Sequence, residues 1–133
     1  MERLKLLNGY INDLRDLENV DFVTYQENKL IHRTVERTLH LAIEACLDIG
    51  QHIIANEGLR PPEDNKTVFV VLHEARIVPD DLLEHLTRMA QFRNLIVHDY
   101  ARIDHAAVFG ILKRHLGDFD AFAQAIVMYL RLG

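Results

Sequence analysis

The stretch Arg93-Asn94-Leu95-Ile96-Val97-His98-Asp99-Tyr100 places a guanidinium, an imidazole and a phenol at the end of a segment that otherwise carries apolar side chains at helical spacing. Burying polar groups costs stability unless a partner or a ligand offsets it. Wound at 100° per residue, Leu82, Leu86, Met89, Arg93, Ile96 and Tyr100 fall along one line, so Arg93 occupies a position where Leu would pack. His98 falls nearly opposite. It therefore belongs either to an unwound last turn or to a face turned toward a second molecule.

These groups have a definite chemistry. An imidazole titrates near neutral pH and can move a proton, while a fixed guanidinium grips a phosphate with two prongs and stabilises the charge that builds when it is attacked. Together they are enough for metal-free RNA cleavage. The RNA supplies the 2′-hydroxyl nucleophile, and the protein removes its proton, stabilises the crowded phosphorane and protonates the leaving oxygen. One His cannot easily be acid and base at once, but a two-fold dimer with two copies of the motif across one groove supplies both. The plainer alternative ties Arg93 to a core carboxylate and leaves His98 as an ordinary surface group, and spacing alone does not separate the two.

Other constellations are weaker. Glu36, His40, Glu44, Asp48 and His52 recur every four residues, a spacing that can bring carboxylate and imidazole onto a metal. Di-iron bundles use Glu-x-x-His units instead, and that unit is missing, so a solvated or inter-subunit polar stripe is the better reading. Glu44 and Asp48 become cleft carboxylates only if they face Arg93. His73-Glu74 and His98-Asp99 lack the further ligands of a metal phosphohydrolase, and no glycine-rich phosphate loop, serine nucleophile elbow or zinc spacing is present. No metal and no cofactor are expected in the reaction.

Composition narrows the field further. The 133 residues are 49% hydrophobic, which predicts one domain over residues 1–133 with a single core. A lone Cys46 excludes an internal disulfide framework, and the start Met1-Glu2-Arg3-Leu4-Lys5 lacks the apolar run of a signal peptide. No stretch reaches membrane-spanning length, so a cytoplasmic protein with no membrane partner is expected. The net charge of −5 argues against indiscriminate binding to nucleic acid. That charge is uneven, however: residues 1–87 carry 9 basic and 16 acidic side chains, whereas residues 88–133 carry 6 and 4. Arg88, Arg93, Arg102, Lys113 and Arg114, with His98, His105 and His115, give an anion a local landing place.

The elements that must position the motif follow from periodicity. Leu4, Leu7, Ile11, Leu14 and Leu17 predict an amphipathic helix over 2–18, and Asn19-Val20-Asp21 a turn. Ile31, Val35, Leu39, Ala42, Cys46, Ile49 and Ile53 form the seam of a long helix from about Tyr25 to Ala55. Gly50 within it marks a close helix contact. Asn56-Glu57-Gly58 stops that helix, and Arg60-Pro61-Pro62-Glu63-Asp64-Asn65 is a loop. Lys66 to Arg76 reads as a short helix despite its Val68–Leu72 strand propensity, because a lone strand among helices has no partner. Pro79, Asp80 and Asp81 suit the start of the motif helix. Asp104 caps a last helix running to about Arg131, with Val108, Ile111, His115, Phe119, Phe122, Ile126 and Tyr129 or Leu130 inward and a bend at Gly117-Asp118. The expected fold is all-α, an up-and-down bundle of four main helices plus a short fifth.

With these elements in place, the chain resembles the HEPN superfamily and, within it, the HepT-like ribonuclease toxins of HepT/MntA toxin–antitoxin pairs. The resemblance rests on Arg93-Asn94-x-x-x-His98-x-Tyr100 at the end of the penultimate long helix, on Ala42-Ile43-Glu44-Ala45 and Asp48-Ile49 in the long second helix, and on Ile77-Val78-Pro79 ahead of the motif helix. It implies the toxin of a type VII system: a homodimeric, metal-independent endoribonuclease with its cleft at the dimer interface. Arg93 and His98 are then the catalytic pair, with Asn94 and Asp99 in support. It also implies an MntA-like nucleotidyltransferase antitoxin that attaches AMP to Tyr100, each AMP opposing RNA binding by charge and bulk. A second reading keeps the family but not the catalysis, making the chain a HEPN module that holds a nucleotide for a nucleotidyltransferase.

Overall fold

The computed structural model describes residues 2–132, all helix and loop with no strand among them. Seven α-helices follow in order: α1 Glu2–Leu17, α2 Phe22–Glu27, α3 Lys29–Glu57, α4 Asn65–Glu74, α5 Asp80–His98, α6 His105–Arg114 and α7 Leu116–Leu132. A short 3-10 turn, Tyr100–Arg102, lies between α5 and α6. The expected bundle is recovered, with α1, α3, α5 and the α6–α7 arm as its main members and α4 as the short one.

Two long helices are broken where unbroken ones were expected. The second begins earlier, at Phe22, and stops at Asn28, whose backbone leaves the helical region at φ −96° and ψ 102°. The Asn28 side chain accepts a hydrogen bond from the Ile31 N–H, a cap that starts α3 afresh and gives its first orphan donors a partner. In the last arm the break falls at His115, two residues before the expected bend at Gly117. Its N–H closes α6 on the Ile111 carbonyl, and α7 begins at Leu116. Asp104 caps α6 as its position predicts, accepting from the Ala106 N–H.

One core joins these helices. Leu7, Ile11 and Leu14 of α1 pack on α3, whose Val35, Leu39, Ala42, Cys46, Ile49 and Ile53 are buried. Cys46 is fully buried, and that burial pushes its thiol pKa up, so it behaves as a small core residue. Gly50 explains why α4 can lie against α3: a Cβ there would meet Val68 Cγ1 at 2.6 Å and Leu72 Cδ1 at 3.1 Å, both on fully buried side chains. Gly58 ends α3 in the left-handed region at φ 63°. Helix α5 rests on α3, α4 and α7, burying Leu82, Leu86 and Met89. Its stripe thus reaches the core as far as Met89. Arg93 and Ile96 are half-buried, and Tyr100 lies beyond the helix altogether.

Candidate active site

Helix α3 and the end of α5 assemble the motif. Arg93 donates from Nε to Glu44 Oε1 at 2.5 Å and from Nη1 to Asn94 Oδ1 at 3.2 Å. Asn94 is itself held by Asn65, the first residue of α4, which donates to the same Oδ1 at 3.1 Å. Glu44 Oε1 also meets His40 Nε2 at 3.2 Å, and His40 Nδ1 faces Arg37 Nη1 at 3.4 Å. A His that accepts from Arg37 at Nδ1 must carry its proton on Nε2, where it donates to Glu44. The guanidinium is therefore oriented by two neighbours through Nε and Nη1. Its Nη2 makes no hydrogen bond among the described residues and remains free to take an anion.

The other half of the motif closes over Glu36. The helix ends when Asp99 turns to φ −151° and ψ 53°, its N–H still bonded to the Leu95 carbonyl. The 3-10 turn that follows brings the Tyr100 hydroxyl to Glu36 Oε1 at 2.5 Å. Glu36 is buried, whereas the Tyr100 side chain is otherwise exposed. Donating to a carboxylate holds the Tyr100 phenol above its usual range, so it stays protonated at neutral pH. Behind Glu36, His105 Nδ1 lies 3.8 Å from Oε2, and its ring lies against His32, tilted by 38° with centroids 4.3 Å apart. His105 Nδ1 has no hydrogen-bond partner among the described residues, and His32 Nδ1 sits 3.2 Å from the Tyr25 carbonyl.

The sequence-predicted residues separate into those brought together and those left apart. Arg93, Asn94 and Glu44 form one hydrogen-bonded unit, so the cleft carboxylate expected at Glu44 is in contact with the guanidinium. Asp48 is exposed and makes no ion pair or hydrogen bond among the described residues. His98 is the last residue of α5, exposed, and likewise without a partner among them. It is helical, so the unwound-turn alternative is corrected: the geometry leaves it facing outward. Among the described residues, the Asp99 side chain pairs with Arg102, at 3.5 Å. Glu36 as the seat of Tyr100, Asn65 as the clamp on Asn94, and the His32–His105 pair were not legible as site residues. The four-residue row containing Glu36 and His40 was the one available signal.

Comparison with known proteins decides the family. The family model described as ribonuclease HepT-like matches residues 7–126. The chain belongs to this family. Among its relatives, the tRNA nuclease HepT of Aphanizomenon flos-aquae is 29% identical over 131 residues, covering 96% of this chain and 87% of the relative. The mRNA nuclease HepT of Shewanella oneidensis is 28% identical over 102 residues, 77% of each chain. In three dimensions the chain is similar to the tri-AMPylated Shewanella oneidensis HEPN toxin in complex with its MNT antitoxin, at a TM-score of 0.87 and 24% identity over 96% of this chain and 95% of that one. It is also similar to the cytosolic protein YutE of Bacillus subtilis, at 0.82 and 20% identity over 98% and 90%. These likenesses give this chain the fold of that HEPN toxin.

Proposed function

We propose that this HepT-like ribonuclease is the toxin of a toxin–antitoxin pair, and that residues 1–133 act as one domain cutting RNA without a metal. In this reading Arg93 binds the scissile phosphate through its open Nη2, and His98 transfers the proton. Asn94 fixes the guanidinium, and Asp99 ends the helix that presents His98. The observation that carries the reading is Arg93, aimed by Glu44 and Asn94 yet left with an unfilled prong.

Five helical residues separate the two catalytic groups by about 7.5 Å along the axis and about 140° around it. A single copy thus presents them to different directions, which supports a cleft shared by two copies related by a two-fold axis. Exposed Val97 beside His98 gives that face an apolar contact. The partner chemistry follows Tyr100, 54% exposed with its hydroxyl on Glu36. An MNT-type nucleotidyltransferase antitoxin attaches AMP there, and the added phosphates and bases oppose RNA by repulsion and bulk. The pair works in the cytoplasm; no helix among the described residues is long and apolar enough to cross a membrane.

Incubation of the purified chain with RNA in EDTA tests the reading: fragments with 2′,3′-cyclic phosphate ends are expected, and intact RNA would favour the nucleotide-holding alternative. Tyr100→Phe keeps the ring and removes the hydroxyl. The variant is expected to cleave RNA within a few-fold of the unchanged chain while taking up no AMP from ATP and antitoxin, as read by intact mass. Mass increments of AMP on that variant would move the acceptor elsewhere.

A further inference from the structure

His85 of α5, His115 at the α6–α7 junction and Asp118 in the first turn of α7 converge, with one ligand atom from each lying within 4.8 Å of the others. The His85 Nδ1 to Asp118 Oδ2 separation is 3.4 Å, and that from His115 Nδ1 to the same oxygen is 3.3 Å. Around a tetrahedral ion with bonds of about 2.0–2.2 Å, neighbouring donor atoms stand about 3.3–3.6 Å apart. Both separations fall in that range. The His115 contact is a long hydrogen bond, whereas His85 approaches the oxygen without a hydrogen bond aligned to it. Two imidazoles therefore approach one carboxylate oxygen, and only the His115 contact is aligned as a hydrogen bond.

The surroundings leave room for what is missing. The three side chains are half-buried and line a cavity of about 240 Å³ whose other walls include Met89, Phe92 and Ile111. Arg88 and Arg114 lie at the same cavity, but Arg88 is paired with Glu84 at 2.6 Å and Arg114 folds back over Gly110. Neither guanidinium is aimed at the donor trio by a bond of its own.

We propose that His85, His115 and Asp118 bind a borderline transition-metal ion, Zn²⁺ in the first instance, with a fourth position open to the cavity. Two imidazole donors favour zinc, nickel or copper over magnesium or calcium, which seek oxygen shells. The ion takes the Nδ1 lone pairs of neutral rings and the charge of Asp118, so binding weakens as the imidazoles protonate. It ties α5, two turns before Arg93, to the junction where α6 hands over to α7. Its role is a clasp between arms, separate from the metal-free chemistry proposed for Arg93 and His98.

Tag-free protein, titrated with Zn²⁺ against a chromophoric chelator, is expected to take up one ion per chain, and Co²⁺ is expected to give the intense visible bands of a tetrahedral site. His115→Ala and Asp118→Asn should each weaken binding on the order of 100-fold and abolish those bands, whereas His52→Ala should leave both unchanged. His85→Ala, at an accessible helix position, gives the same test should either junction variant fail to fold by circular dichroism. No uptake at free Zn²⁺ on the order of 100 µM, or uptake equal in the unchanged chain and the three ligand variants, would overturn the site.

Discussion

His98→Ala is expected to lose RNA cleavage on the order of 10²–10⁴-fold with no change in thermal stability, because the imidazole is exposed and bonds to nothing among the described residues. Arg93→Ala should lose on the order of 10²–10³-fold, but with a structural cost as well. Among the described residues Glu44 then keeps only His40 as a donor, and a half-buried carboxylate stripped of its main partner costs about 1–3 kcal/mol. Arg93→Lys separates the two roles. A lysine restores positive charge near Glu44 but cannot hold Glu44, Asn94 and a phosphate from one planar fork. It should recover stability and not rate. Timed cleavage of a labelled RNA in EDTA, alongside a melting curve for each variant, reads both quantities, and a His98→Ala protein at the unchanged rate would remove His98 from the chemistry.

The largest effect on folding is expected at the aromatic contact between α4 and α7. Phe69 and Phe122 are both fully buried and meet edge-on, with centroids 5.8 Å apart and planes at 82°. Truncating either to Ala removes its transfer energy and leaves a cavity that rigid neighbours fill poorly, a loss of about 3–5 kcal/mol. The two cavities adjoin, so the double variant should lose less than the sum of the singles. Denaturant melts of the four proteins measure the coupling. A loss below about 1 kcal/mol for Phe122→Ala would mean that α7 does not carry the core contact described for it.

Most of the fold was legible because apolar periodicity reports which face of a helix is buried, and the α3 seam and the Leu82–Met89 stripe of α5 do so without interruption. Asn28 and His115 were harder. Their neighbours keep the helical pattern on both sides, and only the cap bond of Asn28 and the backbone turn at His115 interrupt it. In the candidate site, Arg93 stood out as a cation on an apolar line, and its contact with Glu44 follows from the packing of α5 on α3. Tyr100 misled, since it continues the stripe in register but leaves the helix at Asp99 to reach Glu36. The His85–His115–Asp118 trio spans thirty-odd residues with no local spacing to betray it. Only the approach of α7 to α5 brings it together.

In the shared cleft proposed above, one cleavage site draws on the motif of two copies. Refolding the unchanged chain with increasing amounts of His98→Ala protein, at constant total concentration, tests it directly. If one site needs both imidazoles, a mixed dimer is inactive, and the rate should fall with the square of the unchanged fraction. A fall in simple proportion to that fraction would show that each copy cuts RNA with its own His98, and would contradict the shared cleft.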